Sequence, residues 1–504
     1  MALAVALGVV VVPTGANAAV PDARPGLNLD SVTIPELQAR MSQGRLSSVE
    51  LTELYLHRID TIDPLVHSVV FLDPTALRQA RASDERRRSG RLRGPLDGIP
   101  VLLKDNIDTA GLGSTAGSRA LLSRAPRTDA ALVTRLRAAG AVLLGKTNLS
   151  EWANFRSTTS TSGWSGVGGQ TNNPYVLDRN PCGSSSGSGA AVAASLAQVA
   201  IGTETDGSIV CPSGANGDVG IKPTLGLVSG QGIVPISHEQ DTAGPMARNV
   251  TDVAITLAVL ADRHQDYTAA IDASGGKSLR GARIGVWRLA GIDPAVDKVV
   301  QQTVDTLTAA GATIVEVTPA NQDQIGALEL PALLTEFHHD LDAYLATRPG
   351  VPQSLAALIA FNEHDPVELS KFGQELFTQA LAAPPITDPA YRQDRATLTS
   401  LAQHSIDDLI AADHLDAIMA PTNSPAWLDD YATGDPTNVV GSSSPAAVAG
   451  YPDVTVPAGF AGPLPIGISF MGGRFTDARM LALAAAFEQV SHARKPPTFL
   501  PTIR

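Results

Sequence analysis

The chain has 504 residues, with 37 Lys and Arg against 50 Asp and Glu, a formal net charge of −13, and 44% hydrophobic and 17% charged residues. This composition describes an ordinary packed globule and excludes a disordered or coiled-coil chain; the acidic balance offers no footprint for a phosphate backbone, so no nucleic-acid partner is expected. Two cysteines, Cys182 and Cys211, exclude a disulfide-stapled scaffold and allow at most one bridge.

The chain opens with an apolar run over 1–12, then Pro13 and the small-x-small pattern Ala16-Asn17-Ala18. That pattern predicts a signal peptide cut after Ala18 and a secreted or periplasmic protein. The positive charges that usually precede such a run are missing, and a buried apolar strand is the other reading. No stretch reaches the ~20 apolar residues needed to cross a bilayer without charges, Gly or Pro, so no membrane span is expected.

Beyond this segment, apolar residues at helical spacing predict helices over 34–43, 48–62, 74–89, 129–139, 249–262, 294–310 and 478–494. Short apolar runs predict strands over 67–72, 99–103, 141–144, 282–287, 312–317, 417–419, 454–456 and 466–470. The alternation is that of an α/β protein whose sheet is covered on both faces. Proline-rich stretches at 349–352 and 384–389 predict surface loops flanking a helical region, a peripheral lobe at about 320–412. No repeat or long polar linker divides the rest, and 19–504 is expected to form one domain.

Three places depart from ordinary composition. Residues 157–188 are rich in Ser, Thr, Gly and Asn, which in isolation reads as a flexible linker. The next residues, 190–201, are a small-residue apolar run that predicts a buried helix, so the Ser/Gly text feeds a packed element. Gly202-Thr203-Glu204-Thr205-Asp206-Gly207-Ser208 follows as a second turn, in which successive N–H groups can converge into an anion nest. The third is Lys104, at the end of an apolar strand in a chain with only seven lysines. A buried lysine can lose its proton and an arginine cannot; the plainer reading is a snorkelling lysine beside Asp105. A neutral lysine, a relay hydroxyl and a serine at a nest of amides are together the parts of an acyl-transfer site that uses no histidine.

These residues resemble the amidase signature family. Gly98-Ile99-Pro100-Val101-Leu102-Leu103-Lys104-Asp105, the stretch Pro181-Cys182-Gly183-Ser184-Ser185-Ser186-Gly187-Ser188, and Gly202-Thr203 through Gly207-Ser208 stand in the family's order, with Ser208 24 residues after Ser184. Ser150-Glu151-Trp152-Ala153-Asn154-Phe155-Arg156 and Gly169-Gln170-Thr171-Asn172-Asn173-Pro174-Tyr175 look like the bacterial peptide amidases, which remove the C-terminal amide of peptides and release ammonia. The resemblance implies one large mixed central β-sheet with helices on both faces, and chemistry needing neither metal nor cofactor. It implies Ser208 as nucleophile, Lys104 as base, and Ser184, after a cis peptide bond, as proton relay. The backbone N–H groups of Thr205, Asp206, Gly207 and Ser208 would form the oxyanion hole. The family often has Gly where Cys182, Ser186 and Asp206 stand here, which leaves the substrate open between peptide amides and small aliphatic or aryl amides. An inactive peptide-binding scaffold is a more distant reading. Glutamyl-tRNA amidotransferases share the machinery, but a signal peptide and an acidic surface argue against that role.

Other residues carry competing readings. Gly183-Ser184-Ser185-Ser186-Gly187 also fits a nucleophile elbow centred on Ser185, but that motif needs a preceding strand and 173–182 contains two prolines. His338, His339, Asp340 and Asp342 alternate along a predicted helix without sharing a face, so no metal is expected there. Cys182 and Cys211 read as small buried hydrophobes, with a disulfide as the alternative. Trp152, Phe155 and Trp164 read as packing residues, yet an enzyme for peptide ends needs an apolar groove, and the loop 152–175 is expected to supply part of it. Oligomeric state is not legible.

Overall fold

The computed structural model describes residues 26–263, 265–274 and 277–503; the predicted signal peptide lies outside the described residues. The strands are β1 (Val69–Leu72), β2 (Pro100–Lys104), β3 (Val142–Thr147), β4 (Trp164–Ser165), β5 (Gly169–Gln170), β6 (Val199–Glu204), β7 (Val219–Lys222), β8 (Thr242–Ala247), β9 (Arg283–Val286), β10 (Thr313–Glu316), β11 (Ala417–Pro421), β12 (Asp453–Ala461) and β13 (Leu464–Met471). Eleven of them form one sheet in the order β1-β3-β2-β6-β8-β7-β12-β13-β11-β9-β10, and β4 pairs with β5 alone. The sheet is mixed: β2 runs parallel to β3 and β6, and β9 parallel to β10 and β11, while the pairs between β6 and β12 are antiparallel.

Every residue of β2, β3, β6, β7, β8, β11 and β13 is buried, whereas the edge strands β1 and β10 are partly open. That is why most of the central strands are largely apolar in sequence: helices cover both faces, and neither face needs a row of polar residues. Two of the covering helices start where the sequence offers capping boxes, Thr33 with Glu36 and Ser47 with Glu50. Among the described residues no helix is long and apolar enough to cross a membrane.

The eight predicted strands and seven predicted helices are all present, with ends shifted by a few residues. One expectation is corrected. The run 190–201 is not one helix: the helix is Ser186–Ala193, the chain breaks at Ser195, whose φ is +54°, and Val199 begins β6. Burial explains the misreading, because a fully buried strand and a fully buried helix show the same uninterrupted apolar text. β7 and β8 escaped notice because Gly220, Gly244 and Pro245 interrupt their apolar pattern.

Helices Gln322–Ala346, Leu355–His364, Glu375–Ala382 and Pro389–Asp413 fill most of the region 322–413. Phe337, Leu341, Leu358 and Phe377 of this region pack with Trp152 and Phe155 into a cluster separate from the main core. Arg156, fully buried, joins the two parts: it pairs with Glu151 at 2.7 Å and donates to the carbonyls of Phe372 and Gly373 at 3.0 and 2.7 Å.

Parallel pairing of β2 and β6 sets the site. Their C-terminal ends, Lys104 and Glu204, lie at the same edge of the sheet, where α/β folds place their ligands. The helix Ser186–Ala193 brings its N-terminus to that edge, and its small residues permit a close approach. A Cβ on Gly187 would lie 2.5 Å from both the Asn148 and Ser68 carbonyl oxygens. Gly187→Ala is therefore expected to destabilise the fold by about 1–3 kcal/mol or more, which equilibrium denaturation of the variant measures.

Candidate active site

Lys104 is the last residue of β2 and is wholly buried. Its Nζ lies 2.8 Å from Ser184 Oγ and donates to Thr203 O at 3.2 Å and Thr203 Oγ1 at 2.9 Å. A neutral amine has two N–H groups and one lone pair; the Thr203 oxygens take the first two, and the lone pair is left for Ser184. Burial lowers the Lys104 pKa to about 7, against the opposing pull of the Asp241 and Glu204 carboxylates. Asp105, the neighbour expected to hold a snorkelling lysine, turns elsewhere: it accepts from Thr115 and lies 3.6 Å from Lys146. The snorkelling reading is thereby corrected.

Ser184 is also fully buried, and the Gly183–Ser184 peptide bond is cis, as the resemblance implied. The Ser184 carbonyl accepts the Ser150 N–H at 3.1 Å. Ser185, the rival nucleophile, is turned inward, donating to Thr203 O at 3.1 Å, and no strand precedes it. Its N–H donates to the Ser208 carbonyl at 3.1 Å, tying the Ser184 loop to the Ser208 turn.

Ser208 sits at the rim, 9% exposed, in the turn that follows β6. Gly207 there has φ +77°, in the region that favours glycine. Among the described residues no acceptor takes the N–H groups of Asp206, Gly207 and Ser208, so these donors remain available to an incoming oxygen. The turn is held from behind. Glu204 accepts the N–H groups of Ile209 and Val210 at 2.7 and 3.0 Å. Thr205 donates to Asp241 at 2.5 Å, and Gln240 spans from the Thr205 carbonyl, 3.4 Å, to Glu329, 2.9 Å. Asp206 accepts from the hydroxyls of Ser443 and Ser444. Burial pushes Asp241 up to about 7, and burial with the nearby Asp206 carboxylate pushes Glu329 up to about 8.

These supporting residues were not found by sequence reasoning. Glu204 lies inside the recognised turn, but its side-chain role depends on how the chain folds back. Gln240, Asp241, Glu329, Ser443 and Ser444 lie 32–236 positions from Ser208 and leave no local signal.

Cys182 and Cys211 are bonded to each other, 29 residues apart in sequence. Their expected role as separate small hydrophobes is corrected; the turn of the Ser184 loop brings them together, a juxtaposition that spacing alone does not reveal. Closing a loop of this length restricts the unfolded chain by about 3–4 kcal/mol in the chain-entropy account. The reduced protein is expected to unfold at markedly lower denaturant concentration than the oxidised one, and paired denaturation curves check it.

Trp152, Phe155 and Trp164 are 2%, 7% and 4% exposed. Trp152 packs edge-on against Phe377, Phe155 against Phe337, and Trp164 edge-on against Phe372. In this conformation they offer little open ring surface. His338 lies 3.7 Å from Asp342 and His339 2.9 Å from Asp340 along one helix.

Comparison with known proteins places the chain in a family. The Amidase family model matches residues 50–481. A probable amidase of Arabidopsis thaliana is 38% identical over 502 residues, covering 94% of this chain and 92% of that relative. Among solved structures, native peptide amidase from Stenotrophomonas maltophilia is 48% identical with a TM-score of 0.89, covering 93% of this chain and 99% of that one. The peptide amidase complex with the competitive inhibitor chymostatin matches with a TM-score of 0.90 at the same identity and coverage. The eleven-stranded mixed sheet, the matched residues and these relatives lead to one conclusion: this chain belongs to the amidase family and is an amide-hydrolysing enzyme.

Proposed function

We propose that the enzyme removes the C-terminal amide of peptides through a Ser208–Ser184–Lys104 triad, releasing ammonia. The observation that carries the mechanism is the 2.8 Å contact between a buried, pKa-lowered Lys104 and Ser184, beside a turn of unpaired N–H groups that ends in Ser208.

Ser208 Oγ attacks the amide carbonyl while its proton passes to Ser184 Oγ, whose own proton moves to Lys104 Nζ. The developing oxyanion is received by the N–H groups of the turn; one such donor typically contributes about 100–1,000-fold in rate. Collapse breaks the C–N bond, and the proton returned through Ser184 leaves with ammonia. Water then repeats the sequence on the Ser208 ester and frees the peptide acid. Likeness to peptide amidase at 48% identity supports the peptide substrate. The apolar run and Ala16-Asn17-Ala18 support secretion to the periplasm or beyond, which N-terminal sequencing of the exported protein checks.

The test is to incubate the enzyme with a peptide in its C-terminal amide form and follow ammonia and product mass. Ammonia with a free peptide acid is expected. Survival of the peptide amide while benzamide is cleaved would transfer the assignment to small amides, and silence on both would leave a binding scaffold.

A further inference from the structure

The two turns that carry Ser184 and Ser208 are joined by a covalent bond that hydrolysis does not consume. We propose that the Cys182–Cys211 disulfide is a positioning element of the catalytic centre, holding the Ser184 loop in register with the Ser208 turn, so that its reduction lowers turnover in a chain that stays folded. The proposal rests on the roles given above to Ser184 and Ser208.

Its placement is specific. Cys182 stands two residues before Ser184 and Cys211 three residues after Ser208, with their Cα atoms 6.0 Å apart. Both ends are anchored to catalytic backbone. Cys182, at φ +57°, donates its N–H to Asn180 Oδ1 at 2.8 Å, and its carbonyl accepts from Ser186 Oγ at 2.7 Å. Cys211 donates its N–H to the Gly207 carbonyl at 2.8 Å, inside the candidate oxyanion turn. Two non-covalent ties run beside the bridge, Ser185 N–H to the Ser208 carbonyl at 3.1 Å and Asn216 Nδ2 to the Pro181 carbonyl at 2.8 Å. Each is a single neutral hydrogen bond, which opens far more readily than a covalent link.

Neither cysteine belongs to the main core cluster, so opening the bridge leaves that cluster's packing in place. What it releases is the relative position of two hydroxyls between which a proton must pass, and a misplacement of about 1 Å can cost about 100-fold in rate. Cys211 is partly exposed, whereas Cys182 is 6% exposed. In the reductive step a dithiol gives up two electrons and two protons: the Cys182–Cys211 bond breaks, a thiol forms on each cysteine, and the dithiol closes to its own disulfide.

The experiment compares oxidised, dithiothreitol-reduced and reoxidised enzyme, and the Cys182→Ala/Cys211→Ala double variant, on one amide substrate. Thiol titration establishes reduction, and circular dichroism with a thermal melt establishes that each form is folded at the assay temperature. Reduction is expected to lower kcat about 10- to 100-fold with KM changed less than about 2-fold, and reoxidation to restore it. The double variant should start at the low kcat and ignore the reductant. A fully reduced, folded enzyme with undiminished kcat overturns the proposal, as does a loss that only follows the folded fraction. If the double variant does not fold, the reversible titration of the natural chain decides by the same criteria. A Ser208→Ala variant that keeps activity sinks the nucleophile assignment and this proposal with it; an inactive Ser208→Ala variant beside an unaffected reduced enzyme sinks the clamp alone.

Discussion

Ser208→Ala is expected to lower kcat for amide hydrolysis by at least about 10⁴-fold while leaving the fold and substrate affinity nearly unchanged. The alanine removes the only atom proposed to bond to the carbonyl carbon. It leaves untouched the backbone that receives the oxyanion, the Glu204 contacts to Ile209 and Val210, and the Lys104–Ser184 pair. What remains is the contribution of binding and of the N–H groups, about 10³–10⁴ over water in hydrolases stripped of their nucleophile. Steady-state kinetics with ammonia detection, beside an inhibitor-binding measurement, check both halves. A variant that keeps more than a few per cent of the rate would return the nucleophile to another hydroxyl. Ser185 is ill placed for that role, since its Oγ is committed to Thr203 O.

The second large effect concerns pH. Lys104 must be neutral to accept the Ser184 proton, and its pKa is lowered to about 7 by burial. The neutral fraction grows as pH rises, so kcat/KM is expected to climb about 10-fold per unit below pH 7 and to level off above it. Asp241, itself near 7, ionises in the same window and holds the Lys104 proton more firmly as it does so, which broadens the limb. Lys104→Ala should cost about 10²–10⁴-fold, the usual worth of a general base. Lys104→Arg should be no better, because a guanidinium keeps its proton across the accessible range. A pH profile of the natural enzyme and of both variants checks the assignment: if the acidic limb survives unchanged in Lys104→Ala, another group is responsible for it.

The candidate site was legible in the sequence where it is written in local text. Three short segments, around Lys104, Ser184 and Ser208, each break the composition of their surroundings, and each break has a cause: a buried lysine, a turn crowded at Gly183 and Gly187, and a row of donors without partners. Glu204 shows the limit. It stood in view within the third segment, yet its purpose follows only from the fold-back that sets its carboxylate under Ile209 and Val210. The roles of Asp241, Gln240 and Glu329 were silent, because the residues just before β8 and the helix Gln322–Ala346 reach the site from elsewhere in the chain.

The sheet divides in the same way. The eight strands foreseen are those with short, mainly apolar runs; in the central ones burial on both faces causes the run, while the edge strands β1 and β10 are partly open. The run 190–201 was misassigned for the same cause, since full burial erases the periodicity that separates a helix from a strand. By itself, then, the sequence determined the α/β class, most element positions and the residue types able to perform acyl transfer, all of which depend on neighbours a few positions away. Only the tertiary structure decided that Lys104 faces Ser184 rather than Asp105, that Cys182 meets Cys211, and that Trp152, Phe155 and Trp164 are buried in aromatic packing. Each of those outcomes is a contact between segments apart in the chain, the first set by the parallel register of β2 and β6 and the last by the helical region packed on 152–164, and sequence spacing alone does not encode it.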